Sequence, residues 1–189
     1  IKSELFAEVM VSTDDQEIAE ISKSYGAKIP FMRSEKNAND YATTADVLIE
    51  VLNDYEEIFQ RHFNIVCCIY PTAPFITPDK LKESFDKFIA LGVDSLIPVV
   101  KYSYPPQRAF VIRDDRLVYR EPQFQNSRSQ DLEPIYHDAG QFYWMTAMSL
   151  VENKSMVSDN TTQLILNEME MQDLDTLDDW RVAELKKKL

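Results

Sequence analysis

Residues 64–70, Asn-Ile-Val-Cys-Cys-Ile-Tyr, are apolar at almost every position and stop against Pro71-Thr-Ala-Pro74. A strand that is apolar at consecutive positions must be covered on both faces, which is the signature of a parallel sheet with helices on each side. The neighbouring text agrees. Thr43 and Thr44 open a helical pattern with Val47, Leu48, Val51, Leu52, Tyr55 and Phe59 on one stripe. Thr77-Pro78 opens another, which Gly92 ends, and Ser95 to Val100 is a second apolar run. Strand, helix and strand in alternation predict an α/β fold with right-handed crossovers.

Upstream, Glu8 to Ser12 predicts a strand that leads through Thr13-Asp14-Asp15 into a helix. Asp14 and Asp15 are expected to cap that helix, although they stand at a strand end where α/β proteins bind ligands. Ile18, Ala19, Ile21 and Tyr25 would form its buried stripe and Gly26 its stop, with another short extended piece over Ala27 to Phe31. Downstream, Arg108 to Tyr119 alternates around Arg113-Asp114-Asp115-Arg116, as a hairpin does. Residues 121–138 form a polar stretch too long for a simple connector, which points to function. Gly140 to Met145 is aromatic-rich, and Thr162 to Asn167 predicts a last strand.

The length of 189 residues suits one domain, and a net charge of −12 argues against nucleic acid or an anionic membrane as the main partner. It would also repel a phosphorylated substrate unless local cations or a metal intervened. Cys67 and Cys68 are sequence neighbours, so they point to opposite faces of a strand and are expected to be buried thiols rather than a disulfide. No signal peptide or membrane span is present in these residues, which makes the cytoplasm the expected compartment. Only Gly26, Gly92 and Gly140 occur, so neither common glycine-rich phosphate loop is there. The opening Ile1-Lys-Ser-Glu-Leu-Phe6 resembles a helix tail, and the chain is expected to be a fragment.

Chemistry concentrates in Met171-Gln-Asp-Leu-Asp-Thr-Leu-Asp-Asp-Trp180. If Gln172 to Asp175 is extended, Asp173 and Asp175 point to one face. Mg²⁺ takes one or two carboxylates together with substrate phosphates. Thr176 and Asp179 form a capping box for a helix that ends on Lys186, Lys187 and Lys188, where the macrodipole favours cations. Spacing alone leaves two readings open: a metal-binding pair, or solvated acids of a first helical turn.

The order of landmarks resembles the CMP-sialic acid synthetase family of cytidylyltransferases. The matches are Val11-Ser-Thr-Asp-Asp15, Ile29-Pro-Phe-Met-Arg33, Tyr70-Pro-Thr-Ala-Pro74 and Gln172-Asp-Leu-Asp-Thr176. Within it, Arg128-Ser-Gln-Asp-Leu-Glu-Pro134 and Tyr136-His-Asp-Ala-Gly-Gln-Phe-Tyr-Trp144 are most similar to the pseudaminic acid branch. Tyr70 and Ala73 stand where sialic acid enzymes usually have Gln and Ser.

The resemblance implies a Rossmann-like nucleotidyltransferase α/β domain, a three-layer sandwich with a small β-hairpin extension for dimerisation. One domain would span residues 1–189, with 101–138 as the dimerisation and sugar-site excursion. The N-terminal strand and phosphate loop of the family would lie outside this chain, and the chain alone would not turn over. The implied reaction is attack of the sugar's anomeric hydroxyl on the α-phosphate of CTP, with Mg²⁺ as cofactor and a homodimer as the assembly.

By the same resemblance Asp173 and Asp175 are the metal pair and Asp175 the catalytic carboxylate. Arg33 lies near the nucleotide. Thr43 and Thr44 either meet the ribose or base or serve only as caps. Tyr70 takes the place of a substrate-contacting Gln. Arg128 suits a sugar carboxylate, and Gln141 and Gln130 an N-acyl group. His137 binds substrate, accepts its proton or only steadies the loop. The rivals are a sialic or legionaminic acid synthetase and a noncatalytic dimerisation or sugar-binding module.

Overall fold

The computed structural model describes residues 1–189. The helices are α1 (Gln16–Ser24), α2 (Thr44–Phe59), α3 (Pro78–Leu91), α4 (Ala147–Asn153) and α5 (Leu177–Lys186). The strands are β1 (Ile65–Ile69), β2 (Ser95–Lys101), β3 (Phe110–Arg113), β4 (Arg116–Tyr119), β5 (Tyr136–Asp138), β6 (Phe142–Thr146) and β7 (Thr161–Leu166). Local chemistry sets the helix starts as expected. Asp15, Thr43, Thr77 and Thr176 each accept an amide of the first turn, and Thr43 and Thr176 close capping boxes with Asp46 and Asp179.

The expected parallel sheet is corrected to a mixed one. β6 lies between β1 and β2 and runs antiparallel to both, and only β2 and β7 pair in parallel. Helices on both faces make a strand apolar whichever way its neighbours run, so the composition of residues 64–70 could not report direction. β6, Phe-Tyr-Trp-Met-Thr, is the most completely buried strand because it is interior in the sheet and covered on both sides. Its Phe142 and Trp144 face α3 together with Leu81, Phe88, Leu96 and Leu164. Its Tyr143 and Met145 face Ala45 of α2 and Leu150 of α4. That is the three-layer sandwich.

β2 borders β6 through Ser95 and Leu96, then β5 through Val99 to Lys101. Pro98 sits where it changes partner, a point at which a missing N–H costs no ladder bond, and its carbonyl accepts the Ala139 amide at 3.0 Å. Beyond Lys101 the chain leaves the sheet as the β3–β4 hairpin and returns at β5. Asp114 and Asp115 both take positive φ, 50° and 55°, as a tight two-residue turn requires.

The strand expected over residues 8–12 is corrected as well, and its partner in a narrow ribbon is the short extended piece over 27–31. They meet in a single parallel bridge, Met10 with Lys28, and join no strand of the main sheet. Of the stripe expected on α1 only Ala19 is buried; Ile18, Ile21 and Tyr25 are exposed.

Glu8 ties the ribbon to the body. Its side chain is 5% exposed and meets Lys28 and Arg61, the latter just beyond α2. Burial works to raise its carboxyl, but hydrogen bonds and charges from Arg61 and Lys28 outweigh that and hold it below the ordinary 4.5. A lowered carboxyl stabilises the fold fully above its unfolded value and loses that contribution as the pH drops through the folded one. Glu8→Gln is therefore expected to cost about 2 kcal/mol at neutral pH. It should also flatten the decline of stability below about pH 4.5. Urea midpoints of both proteins across that range check it, and parallel declines would remove Glu8 from the account.

Candidate active site

The carboxyl ends of β1, β2 and β7 lie at the same end of the sheet, beside the start of the antiparallel β6. Ligands of open α/β sheets bind at such ends. Tyr70, just past β1, donates its amide to the Gln141 carbonyl at 3.0 Å. Its hydroxyl shares a hydrogen bond with Thr44 Oγ1 at 3.1 Å, and its ring packs on Tyr143 with centroids 5.1 Å apart. Tyr143 donates its hydroxyl to both carboxylate oxygens of Asp138, each at 2.9 Å. Burial and then this carboxylate push the Tyr143 phenol far up, so it stays a donor at any working pH. Asp138 Oδ1 also accepts the Gly140 amide at 2.8 Å. On the bare Cα of Gly140 lies Asp173: a Cβ there would stand 3.0 Å from Asp173 Oδ2.

Residues 172–175 are not a ladder strand, contrary to expectation. β7 ends at Leu166, a short turn over Glu168–Glu170 follows, and the segment carrying both acids runs free to the α5 cap. Its neighbours pair it by other means. Lys186 donates to the carbonyls of Glu168 and Met171, both at 2.7 Å, and Gln172 Nε2 donates to Asp179 Oδ1 at 3.2 Å. Burial pulls the Lys186 ammonium below its usual value. Asp173 is half-buried, and its Oδ1 accepts the Leu174 amide at 3.1 Å; Asp175 is exposed. Neither is ion-paired to Lys or Arg. No third His, Cys, Asp or Glu completes a cage. Two carboxylates with no ion pair in the fold are oxygen donors of the kind Mg²⁺ takes, one or two at a time, beside water and substrate phosphates.

Thr44, Tyr70, Gln141 and Asp173 thus meet through direct or one-residue links. His137 adjoins them in β5, where its Nδ1–H donates to the Asp138 carbonyl at 2.7 Å and its ring lies 4.9 Å from Tyr102, leaving Nε2 free. Gln141 is 1% exposed and turns its amide to the Ala139 carbonyl, so it forms the floor of the site rather than its wall. Thr43 is occupied in its capping box.

Two residues stand apart. Arg33 bonds the Ser12 carbonyl and hydroxyl, at 2.5 and 3.1 Å, in a loop that Glu50 of α2 holds through Ser34 and Asn37. Hydrogen bonds from Ser34 and Asn37 keep the Glu50 carboxyl low against the opposing effect of burial. Arg128 lies out on the excursion, exposed, and pairs with Asp131 at 2.7 Å.

The sequence reading missed Asp138, Gly140, Tyr143, Glu50 and Lys186. Their roles depend on contacts across the fold; only Asp138-Ala-Gly140, an acid two residues before a glycine, carries a local turn signal.

The cytidylyltransferase family model matches residues 1–143. A pseudaminic acid cytidylyltransferase of Campylobacter jejuni is 36% identical over 189 residues, covering 98% of this chain and 80% of its own length. A CMP-N,N'-diacetyllegionaminic acid synthase of Legionella pneumophila is 31% identical over 186 residues, covering 97% and 79%. Among solved structures, CMP:2-keto-3-deoxy-manno-octonic acid synthetase complexed with CTP aligns with a TM-score of 0.62 at 17% identity, over 97% of this chain and 82% of that one. The last likeness speaks to the fold, a nucleotidyltransferase α/β sandwich. With the family match covering most of the chain, the protein belongs to the cytidylyltransferase family.

Proposed function

We propose that this cytidylyltransferase transfers CMP from CTP to the anomeric hydroxyl of a nine-carbon acidic sugar, pseudaminic acid, and releases pyrophosphate. The observation that carries the reading is the contact of Asp173 with Gly140, which joins the acidic loop to the Tyr70–Gln141 end of the sheet. The acceptor follows the relatives, among which a pseudaminic acid enzyme is 36% identical and a legionaminic acid enzyme 31%.

Asp173 and Asp175 would hold Mg²⁺, which when bound neutralises triphosphate charge. The rest of the chain's work is positioning and electrostatics. The N-terminus of α2, with Thr43 and Thr44, offers its dipole to the nucleotide, and Arg33, now held on Ser12, would bring positive charge only by a shift of its loop. Tyr70 presents its ring and hydroxyl from the end of β1, above the buried Gln141. Arg128, which stands apart and pairs with Asp131, would have to leave that partner to supply a guanidinium for the sugar carboxylate, and His137 Nε2 is free to accept a substrate hydrogen bond.

Phe110, Ile112 and Leu117 of the hairpin are 53%, 73% and 69% exposed, an apolar surface that suits a homodimer contact. No helix is long and apolar enough to cross a membrane. The cytoplasm is the proposed compartment, and neither nucleic acid nor membrane is a proposed partner.

The test supplies Mg²⁺, CTP and either pseudaminic or N-acetylneuraminic acid to the protein with any residues that precede Ile1, and follows pyrophosphate. Release with pseudaminic acid alone is the expected result. Release with the neuraminic acid alone would keep the reaction and replace the acceptor. Release with neither sinks both.

A further inference from the structure

We propose that Gly140 and Asp138 are positioning residues that set where the Asp173 carboxylate stands; this rests on reading Asp173 as a metal-binding group. Gly140 has a φ of 61°, and its missing Cβ leaves the room that Asp173 fills: a Cβ would come within 3.0 Å of Oδ2 and 3.3 Å of Cγ. A contact of 3.0 Å is tighter than nine in ten real Cβ contacts, so the neighbour must give by a few tenths of an ångström, and the neighbour is the carboxylate itself. The glycine is in turn held by Asp138, which accepts its amide at 2.8 Å. Asp138 is anchored by the Tyr143 hydroxyl at 2.9 Å to each oxygen, and Tyr143 belongs to β6, the strand buried from both sides. A rigid path therefore runs from the centre of the sheet through Tyr143, Asp138 and Gly140 to one oxygen of Asp173. Groups that hold a metal ligand in its orientation typically change metal affinity by roughly 10–100-fold when removed.

Gly92 provides the comparison. Its φ is 59°, but a Cβ there would meet nothing within 4 Å. An alanine at 92 carries the left-handed backbone cost alone, and one at 140 adds the push on Asp173. The experiment prepares Gly140→Ala, Gly92→Ala and Asp138→Asn in the protein with any residues that precede Ile1. Mn²⁺ is titrated in the presence of CTP and against a CTP-only control that accounts for Mn²⁺ held by the nucleotide itself, free Mn²⁺ is read by its electron paramagnetic resonance signal, and urea midpoints are measured alongside.

Both alanine variants are expected to lower the midpoint by a similar amount, while Gly140→Ala alone weakens Mn²⁺ binding by roughly tenfold. Asp138→Asn, which keeps one acceptor oxygen, should weaken it by less. It carries the measurement if Gly140→Ala does not fold. Wild-type affinity in Gly140→Ala, or in Asp138→Asn where that is the folded variant, overturns the positioning role and leaves the proposed reaction standing. Absence of Mn²⁺ binding in the wild type with CTP overturns the metal reading, and this inference with it.

Discussion

An Asp175→Asn protein is expected to fold like the wild type and to release pyrophosphate at least about a hundredfold more slowly. Asp175 is exposed, and its carboxylate takes part in no hydrogen bond or ion pair of the fold, so exchanging it for an amide of equal size removes charge and little else. A stable protein with a lost rate would place the need for that charge in the bound state. Asp173→Asn provides the contrast. Its Oδ1 accepts the Leu174 amide and its Oδ2 lies against Gly140, so it is expected to lose the rate and some stability together. Initial rates and urea midpoints measured on the same preparations separate the two. A wild-type rate in Asp175→Asn would take that residue out of the site.

The largest loss of stability is expected at Trp144. Its ring is 2% exposed, stacks on Phe6 at 5.3 Å and 8°, and meets Phe85 at 4.9 Å. Its indole N–H donates to Ser84 Oγ at 2.9 Å, and that hydroxyl donates onward to the Leu81 carbonyl. Trp144 thus binds α3, β6 and the N-terminal segment into one cluster. Replacing a buried aromatic by alanine costs about 3–5 kcal/mol. Domains of this kind have roughly 5–15 kcal/mol in all, so Trp144→Ala should lose a large share of its stability. Trp144→Phe keeps most of the contact, and Ser84 still donates to Leu81, so a loss of about 1–2 kcal/mol is expected. Urea unfolding decides; a change under about 1 kcal/mol for the alanine variant would show that the cluster collapses to fill the cavity.

Helix ends were legible because caps are local. Thr43 at the start of α2, Thr77 with Pro78, and Thr176 with Asp179 act locally and read the same in sequence and structure, while the Asp46 partner of Thr43 emerged only in the structure. So were the apolar strands at 65–69 and 95–101 and the hairpin, since their covering demands or turn residues are written in consecutive positions. The acidic pair was visible as a motif, and the family's landmarks were visible as an order. Pairing was not. That β6 inserts antiparallel between β1 and β2 depends on hydrogen bonds between segments some 75 positions apart, as Cys67 with Trp144 shows. The exposure of Ile18, Ile21 and Tyr25 on α1 has the same origin, since an amphipathic stripe names a face without naming what covers it.

The site divides along this line. His137, Tyr70 and Asp173 could be singled out by residue type, but the Asp138 carboxylate that takes both the Gly140 amide and the Tyr143 hydroxyl could not. The sequence by itself determined which segments become helices and strands, because caps and periodicity are properties of neighbours along the chain. Only the tertiary structure decided which of those residues stand together at one end of the sheet, because side chains from β1, β5, β6 and the loop before α5 meet there only after a strand order that no local signal encodes.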